Sequence, residues 1–227
     1  MKLTSKECNI LATLSLNARQ SGAAIAKTLG LSRQVVAYTL ESLETKGVIK
    51  GYYTILNPYK VGYFYYRLFL KFDNSSTEQP RQFIEYCQGH KMVSWVVQHE
   101  GEWDFCIVVW AKGIFEFEFF MQEILSLFGK HLLEKQISVA TKIYHLKYKY
   151  LNAVSNPTHL LVGHADNPRE LDEKDLDILG CLTKEGRMGL KQIADETRLQ
   201  PALVKRKIEQ LEMEKIILGY QVRLNTY

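Results

Sequence analysis

Displacing the sequence by 168 positions lays residues 171–227 over residues 3–59 without a gap, and 19 of the 57 aligned pairs are identical. The identities include Ile10/Ile178, Leu14/Leu182, Ile25/Ile193, Ala26/Ala194, Leu31/Leu199, Val36/Val204, Leu43/Leu211 and Gly51/Gly219. Most are apolar and fall at helical spacing, so what repeats is a hydrophobic core. A single long period, with one copy at each end of the chain, implies a duplicated module and not a solenoid.

Each copy reads as three helices followed by a strand. In the first, Ile10, Leu11 and Leu14 share one face of a helix beginning near Thr4. A short helix over residues 23–29 follows, and Gly30 suits the left-handed conformation that ends it. Ser32 caps a third helix whose Val36, Leu40 and Leu43 point inward at i, i+4 and i+7. Gly47 stops that helix, and residues 48–56 are rich in strand formers. Two helices joined by a tight turn containing Gly fit a helix-turn-helix, and the trailing strand fits a wing. The second copy is less regular. Arg198 stands where the first has Gly30, at a cost of about 1 kcal/mol if the left-handed conformation is kept. Gln200 replaces the Ser32 cap, with Pro201 well placed at the first helical position.

The outer face of the first copy's third helix carries Arg33, Gln34, Ala37, Tyr38 and Ser42. Arg bonds guanine bidentately and Gln bonds adenine in the same way in the major groove. Lys46 and Lys50 suit phosphates. Charge agrees: residues 1–62 hold 8 Lys/Arg against 3 Asp/Glu, whereas residues 166–227 hold 11 against 12. The basic bias suited to a polyanion therefore lies in the first module. In the second, Lys205, Arg206 and Lys207 stand in a row, but Glu209, Glu212 and Glu214 follow. Phosphate contact and an ordinary ion-paired surface helix both remain open there.

Between the modules, residues 63–72 alternate apolar and polar, a half-buried strand. Ser76 or Thr77 can cap a helix running to about Gln88. Residues 93–99 and 103–110 are two strands joined by a turn at Glu100-Gly101-Glu102, residues 113–128 a helix, and residues 137–148 a last strand. The order β-α-β-β-α-β is ferredoxin-like: an antiparallel four-stranded sheet with helices on one face. Trp95, Trp103, Trp110, Phe69 and Tyr144 exceed what two helices can cover, which predicts a symmetric dimer through the open face. The competing reading is that they complete a core against neighbouring modules. Residues 151–170, with Asn156-Pro157 and Asn167-Pro168, read as a linker whose run at 159–162 can pair as an edge strand.

Other classes are disfavoured. The longest apolar run, residues 105–111, is far short of the ~20 residues a membrane helix needs, and the N-terminus has no apolar signal core. Cys8, Cys87, Cys106 and Cys181 lie too far apart in sequence for a metal motif and read as reduced thiols, so a cytoplasmic location is expected. His99, Glu100, Glu102 and Asp104 form the only acid–base cluster, and no nucleophile, phosphate loop or metal spacing accompanies it. His131 and His145 read as sheet residues and not ligands. No enzyme activity, metal or cofactor is expected.

Three stretches resemble the leucine-responsive/asparagine-regulator (Lrp/AsnC) family of prokaryotic transcription factors. IAKTLGLSRQVVAYTLESLETKGVIKGYYTILNPYKVGY is similar to its winged helix-turn-helix and outgoing strand. EGEWD, residues 100–104, is similar to the Gly-acidic-aromatic-Asp turn of its effector (RAM) domain, and residues 171–212 resemble the DNA-binding module again. The resemblance implies dimerisation through the middle domain and operator binding by the helix-turn-helix units. It also implies a small amino-acid-like effector near Gly101, Trp103 and Asp104. The family commonly has Arg in mid recognition helix, where this chain has Tyr38 in copy one and Arg206 in copy two.

The expectation is thus an α+β chain: a winged helix-turn-helix (1–60), a ferredoxin-like RAM-type middle domain (61–150), a linker (151–170) and a second winged helix-turn-helix (171–227). Its predicted partners are double-stranded DNA, through Ser32, Arg33, Gln34, Ala37, Tyr38, Lys46, Lys50, Lys205, Arg206 and Lys207, and further copies of itself. The alternative is a ligand-sensing or protein-interaction module without specific DNA binding.

Overall fold

Thr4 opens the first helix with a capping box: its hydroxyl accepts the Glu7 N–H while the Glu7 carboxylate takes the Thr4 N–H. In the computed structural model, which describes residues 3–73, 78–151, 159–163 and 167–225, that helix is α1 (Ser5–Leu14). Ser21 caps α2 (Gly22–Leu29), and Gly30, at φ 64°, ends it in the left-handed region. Ser32 caps α3 (Arg33–Thr45), which buries Val36, Leu40 and Leu43, and β1 (Ile49–Leu56) follows.

Next come β2 (Phe64–Phe72), α4 (Glu78–Gly89), β3 (Val93–Gln98), β4 (Phe105–Ala111), α5 (Ile114–Phe128) and β5 (Leu132–Ala140). The Ser76 and Thr77 cap positions lie outside the described residues. The four strands form one antiparallel sheet in the order β3-β4-β2-β5. Tyr66, Leu68, Leu70 and Phe72 of β2 and Phe105, Ile107 and Val109 of β4 pack against Phe83 of α4 and Phe117, Phe120 and Ile124 of α5. The last strand expected over 137–148 is instead two: β5 begins earlier, and β6 (Lys142–Leu146) pairs in a separate sheet with β7 (His159–Gly163). Part of the expected linker is therefore a strand.

The second copy supplies α6 (Glu173–Lys184), α7 (Leu190–Thr197), α8 (Pro201–Met213) and β8 (Ile217–Leu224). Its turns keep the backbone of the first copy without its glycines: Arg198 sits at φ 56° where copy one has Gly30, and Lys215 at φ 62° where copy one has Gly47. Its strand does not make a hairpin wing of its own. β8 pairs antiparallel with β1, so each module's strand finds its partner in the other module.

The chain accordingly divides into two units, the described parts of 1–57, 144–162 and 170–227, and of 58–143 with 163–169. In the second unit, cross-strand register puts Phe69, Trp95 and Trp110 on the sheet face away from α4 and α5, with Trp103 beside Phe69. Trp95 is half exposed, whereas Cys106 and Val108 at the centre of that face are buried. Tyr144 is not on this sheet; it lies on β6 with its ring against His159. The helix side is also partly bare: Ile137 and Val139 of the edge strand β5 and Phe115 and Phe119 of α5 are exposed.

Candidate nucleic-acid interface

The candidate surface is built on the start of α3. The Ser32 hydroxyl accepts the Val35 N–H at 3.2 Å and fixes the first turn. Arg33, Gln34 and Ala37 are exposed beyond it, and Tyr38 is 75% exposed. A concavity of about 470 Å³ between the start of α1 and α3 is lined by Gln34, Tyr38, Ser42 and Lys46, together with Thr4 and Lys6. Lys6 thereby joins the site; the sequence reading did not single it out. Lys46 remains half exposed, 3.7 Å from the Glu7 carboxylate. Bonds from the Thr4 N–H and hydroxyl, and then Lys46, hold the Glu7 carboxyl below its ordinary value against a small opposing effect of burial. Lys50 is exposed on β1.

The corresponding face of the second copy differs. Lys207 does not point outward: its side chain is 11% exposed, with Nζ 3.0 Å from Asp175 Oδ1 and also bonded to Asp172. The expected phosphate contact is corrected, because Lys207 lies on the flank beside the buried Val204, Ile208 and Leu211 and spends its charge on the N-terminal carboxylates of α6. Burial works against the Lys207 charge, but the two aspartates outweigh it and raise its pKa. Lys207 and the Asp175 N–H lower that of Asp172 in turn. Lys205 is exposed and 3.7 Å from Glu209 one turn on. Arg206 is exposed, with no ion pair among the described residues. At the positions matching Lys46 and Lys50 stand Glu214 and Leu218, so neither cation is repeated.

The two copies are locked together by a near-twofold set of contacts. In the β1–β8 ladder, Tyr53 lies opposite Gln221, its own counterpart under the 168-residue shift, while Tyr52 faces Val222 and Thr54 faces Tyr220. The Ala18 N–H donates to the Tyr220 carbonyl and the Gly186 N–H to the Tyr52 carbonyl, both at 2.8 Å. Arg19 lies over the Tyr220 ring at 5.2 Å, and Arg187 over the Tyr52 ring at 4.9 Å. Arg19 also donates to the Gly186 and Met188 carbonyls. The Tyr52 hydroxyl donates to Glu44 at 2.6 Å, and that of Tyr220 to Glu212 at 2.7 Å. Burial, then the Glu44 bond, pushes the Tyr52 phenol up to about 12; burial and Glu212 raise Tyr220 likewise. Sequence reasoning missed this lock. Its signal was the polar identities Arg19/Arg187, Glu44/Glu212 and Tyr52/Tyr220, which a shared apolar core does not require.

In the other unit, Gly101, Trp103 and Asp104 do fall on one turn. Gly101 adopts φ 136°, and Trp103 tilts against Phe69 with ring centroids 6.1 Å apart. Asp104 Oδ2 accepts the Phe72 N–H at 2.6 Å, and the Asp104 N–H donates to the Leu70 carbonyl, so this carboxylate ties the β3–β4 turn to β2. His99, Glu100 and Glu102 are exposed.

This arrangement defines a class, and a family model described as winged helix-turn-helix DNA-binding matches it twice, at residues 3–50 and 171–217. The HTH-type transcriptional regulator LrpA of Pyrococcus abyssi (strain GE5 / Orsay) is 32% identical over 106 residues, 45% of this chain and 72% of that protein. The chain belongs to the Lrp/AsnC family of transcriptional regulators. LrpA of Pyrococcus horikoshii is 46% identical over 54 residues, 24% of this chain, and that match spans only 38% of the relative's length. Among solved structures, the transcriptional regulator NMB0573 from Neisseria meningitidis in complex with L-Met aligns with TM-score 0.55 and 19% identity, covering 61% of this chain and 90% of that one. The siroheme decarboxylase NirDL, in co-complex with an iron-uroporphyrin III analogue, aligns with TM-score 0.63 and 11% identity over 97% of this chain and 66% of that one. At these identities the two structures speak for the fold alone.

Proposed function

We propose that the chain is a sequence-specific DNA-binding transcriptional regulator whose first module is the principal reader of bases. The observation that carries this reading is the exposed, capped start of α3, where Arg33 and Gln34 project and Gln34 shares a concavity with Tyr38 and the cations Lys6 and Lys46, with Lys50 exposed on β1. Base-reading side chains in the first turn, ringed by phosphate-binding cations, are what major-groove docking of a helix-turn-helix uses. The proposed organisation keeps 1–60 and 171–227 as DNA-binding modules around a ferredoxin-like, RAM-type domain at 61–150, which assembles copies of the chain. A small amino-acid-like effector binds near Gly101, Trp103 and Asp104; the L-Met complex of the similar regulator supports that chemistry. The reading is non-catalytic, because Asp104 is engaged by the backbone of β2 and its acid–base neighbours stand in open solvent; a cytoplasmic location goes with the proposed role.

Duplex binding measured across a salt series tests it. The affinity should fall linearly on a logarithmic scale, by about 0.9 per phosphate contact, and a random duplex pool should yield a defined preferred sequence. Binding that ignores salt, or no binding at all, would favour a ligand-sensing or protein-interaction role instead.

A further inference from the structure

We propose that the two modules of one chain read a single duplex as a bipartite, non-palindromic site, α3 taking one half and α8 an inverted half of different sequence. This deepens the DNA-binding reading above and rests on it. A two-fold pair of helix-turn-helix units presents its recognition helices to inverted half-sites about one helical turn, or a multiple of it, apart. Identical subunits make those half-sites identical. Here the pair is formed within one chain, through β1–β8, the reciprocal Arg19–Tyr220 and Arg187–Tyr52 contacts, and the Ala18 and Gly186 N–H bonds.

The 168-residue shift preserves this lock and changes the surface it carries. Arg33, Gln34, Ala37 and Tyr38 are replaced by Pro201, Ala202, Lys205 and Arg206. The first turn of α8 therefore has no polar side chain for a base edge, and its reading moves to mid-helix, where Arg206 is exposed, without an ion pair among the described residues, and suits guanine. With Lys207 turned inward and Glu214 and Leu218 in place of Lys46 and Lys50, the second half-site is gripped by fewer cations. The site should comprise one information-rich half and one shorter, guanine-containing half in inverted orientation.

The test selects bound sequences from a random duplex pool with the full chain, then measures Arg33→Ala and Arg206→Ala against single-base variants of the selected duplex. Both residues are exposed, and unchanged thermal unfolding confirms that each variant is folded. Each variant should lose discrimination, by about 5- to 150-fold, in its own half only. Placing the first copy's outer residues on α8 (Pro201→Arg, Ala202→Gln, Lys205→Ala, Arg206→Tyr) should turn the selected motif into a palindrome. A palindromic motif for the unaltered chain overturns the proposal. So does relaxation of the same bases by both single variants, or no effect of Arg206→Ala. Absence of salt-dependent duplex binding overturns the DNA-binding reading itself, and the two failures are thereby told apart.

Discussion

Arg33 and Gln34 owe their reach to one hydroxyl, since Ser32 fixes the turn from which both project. Arg33→Ala and Gln34→Ala should each cost about 1–3 kcal/mol on the preferred duplex, measured against an unrelated one. Lys50→Ala should instead weaken all duplexes alike and make the salt slope shallower by about 0.9. At the second module, residue chemistry sets a pH dependence. The Asp172 carboxyl is held below its unbound value of 3.8 by Lys207 and the Asp175 N–H. A depressed carboxylate stabilises the fold above its unfolded pKa and loses that contribution as pH falls through the folded one. Asp172→Asn, which keeps a capping side chain, should therefore lower the melting temperature near neutral pH and converge with the unaltered protein once the pH falls below the lowered Asp172 pKa. A gap that stays constant over that range would refute the Lys207 pairing. Ser32, Arg33, Gln34 and Tyr38 were legible because capping and outer-face position follow from helical period alone. Lys207 was not, because its turn inward depends on Asp172 and Asp175, a helix hairpin away in sequence.

Helices announce themselves locally, and the three in each module stand close to where apolar spacing and glycine punctuation place them. Strand partners do not. β1 and β8 were both foreseen as strands, yet nothing near either one in sequence says that they pair with each other. Gly186, between α6 and α7, marks how closely the second module's helices approach β1: a Cβ there would come within 3.0–3.1 Å of the Tyr52 and Tyr53 backbone. Gly186→Ala should destabilise the fold by about 1–3 kcal/mol in thermal or urea unfolding, as overpacking does. The opposite change applies at the two strained turns. Arg198→Gly and Lys215→Gly put glycine where φ is 56° and 62°, as copy one already has, and each should raise stability by about 0.5–1 kcal/mol. A loss on either substitution would show that those side chains contribute more than their backbones cost.

For the molecule as a whole, the order of helices and strands was readable apart from the break between β5 and β6, whereas the division into units was not, since the described residues of 144–162 belong with modules far from them in sequence. The sheet of the other unit carries Trp95, half exposed, on the same helix-free face as Phe69, against which Trp103 packs. Trp95→Glu should shift the mass measured by light scattering toward monomer without loss of the sheet's circular dichroism. An unaltered protein that is already monomeric at tens of micromolar would remove the dimer from the account. The β1–β8 ladder has a further consequence for a cell holding few copies of such a protein. When two recognition helices meet by collision of separate chains, the fraction paired falls as chains become scarce. On the proposed two-module reading the encounter is first order and survives dilution, so occupancy of an operator by a weakly expressed regulator would rise in direct proportion to copy number instead of its square.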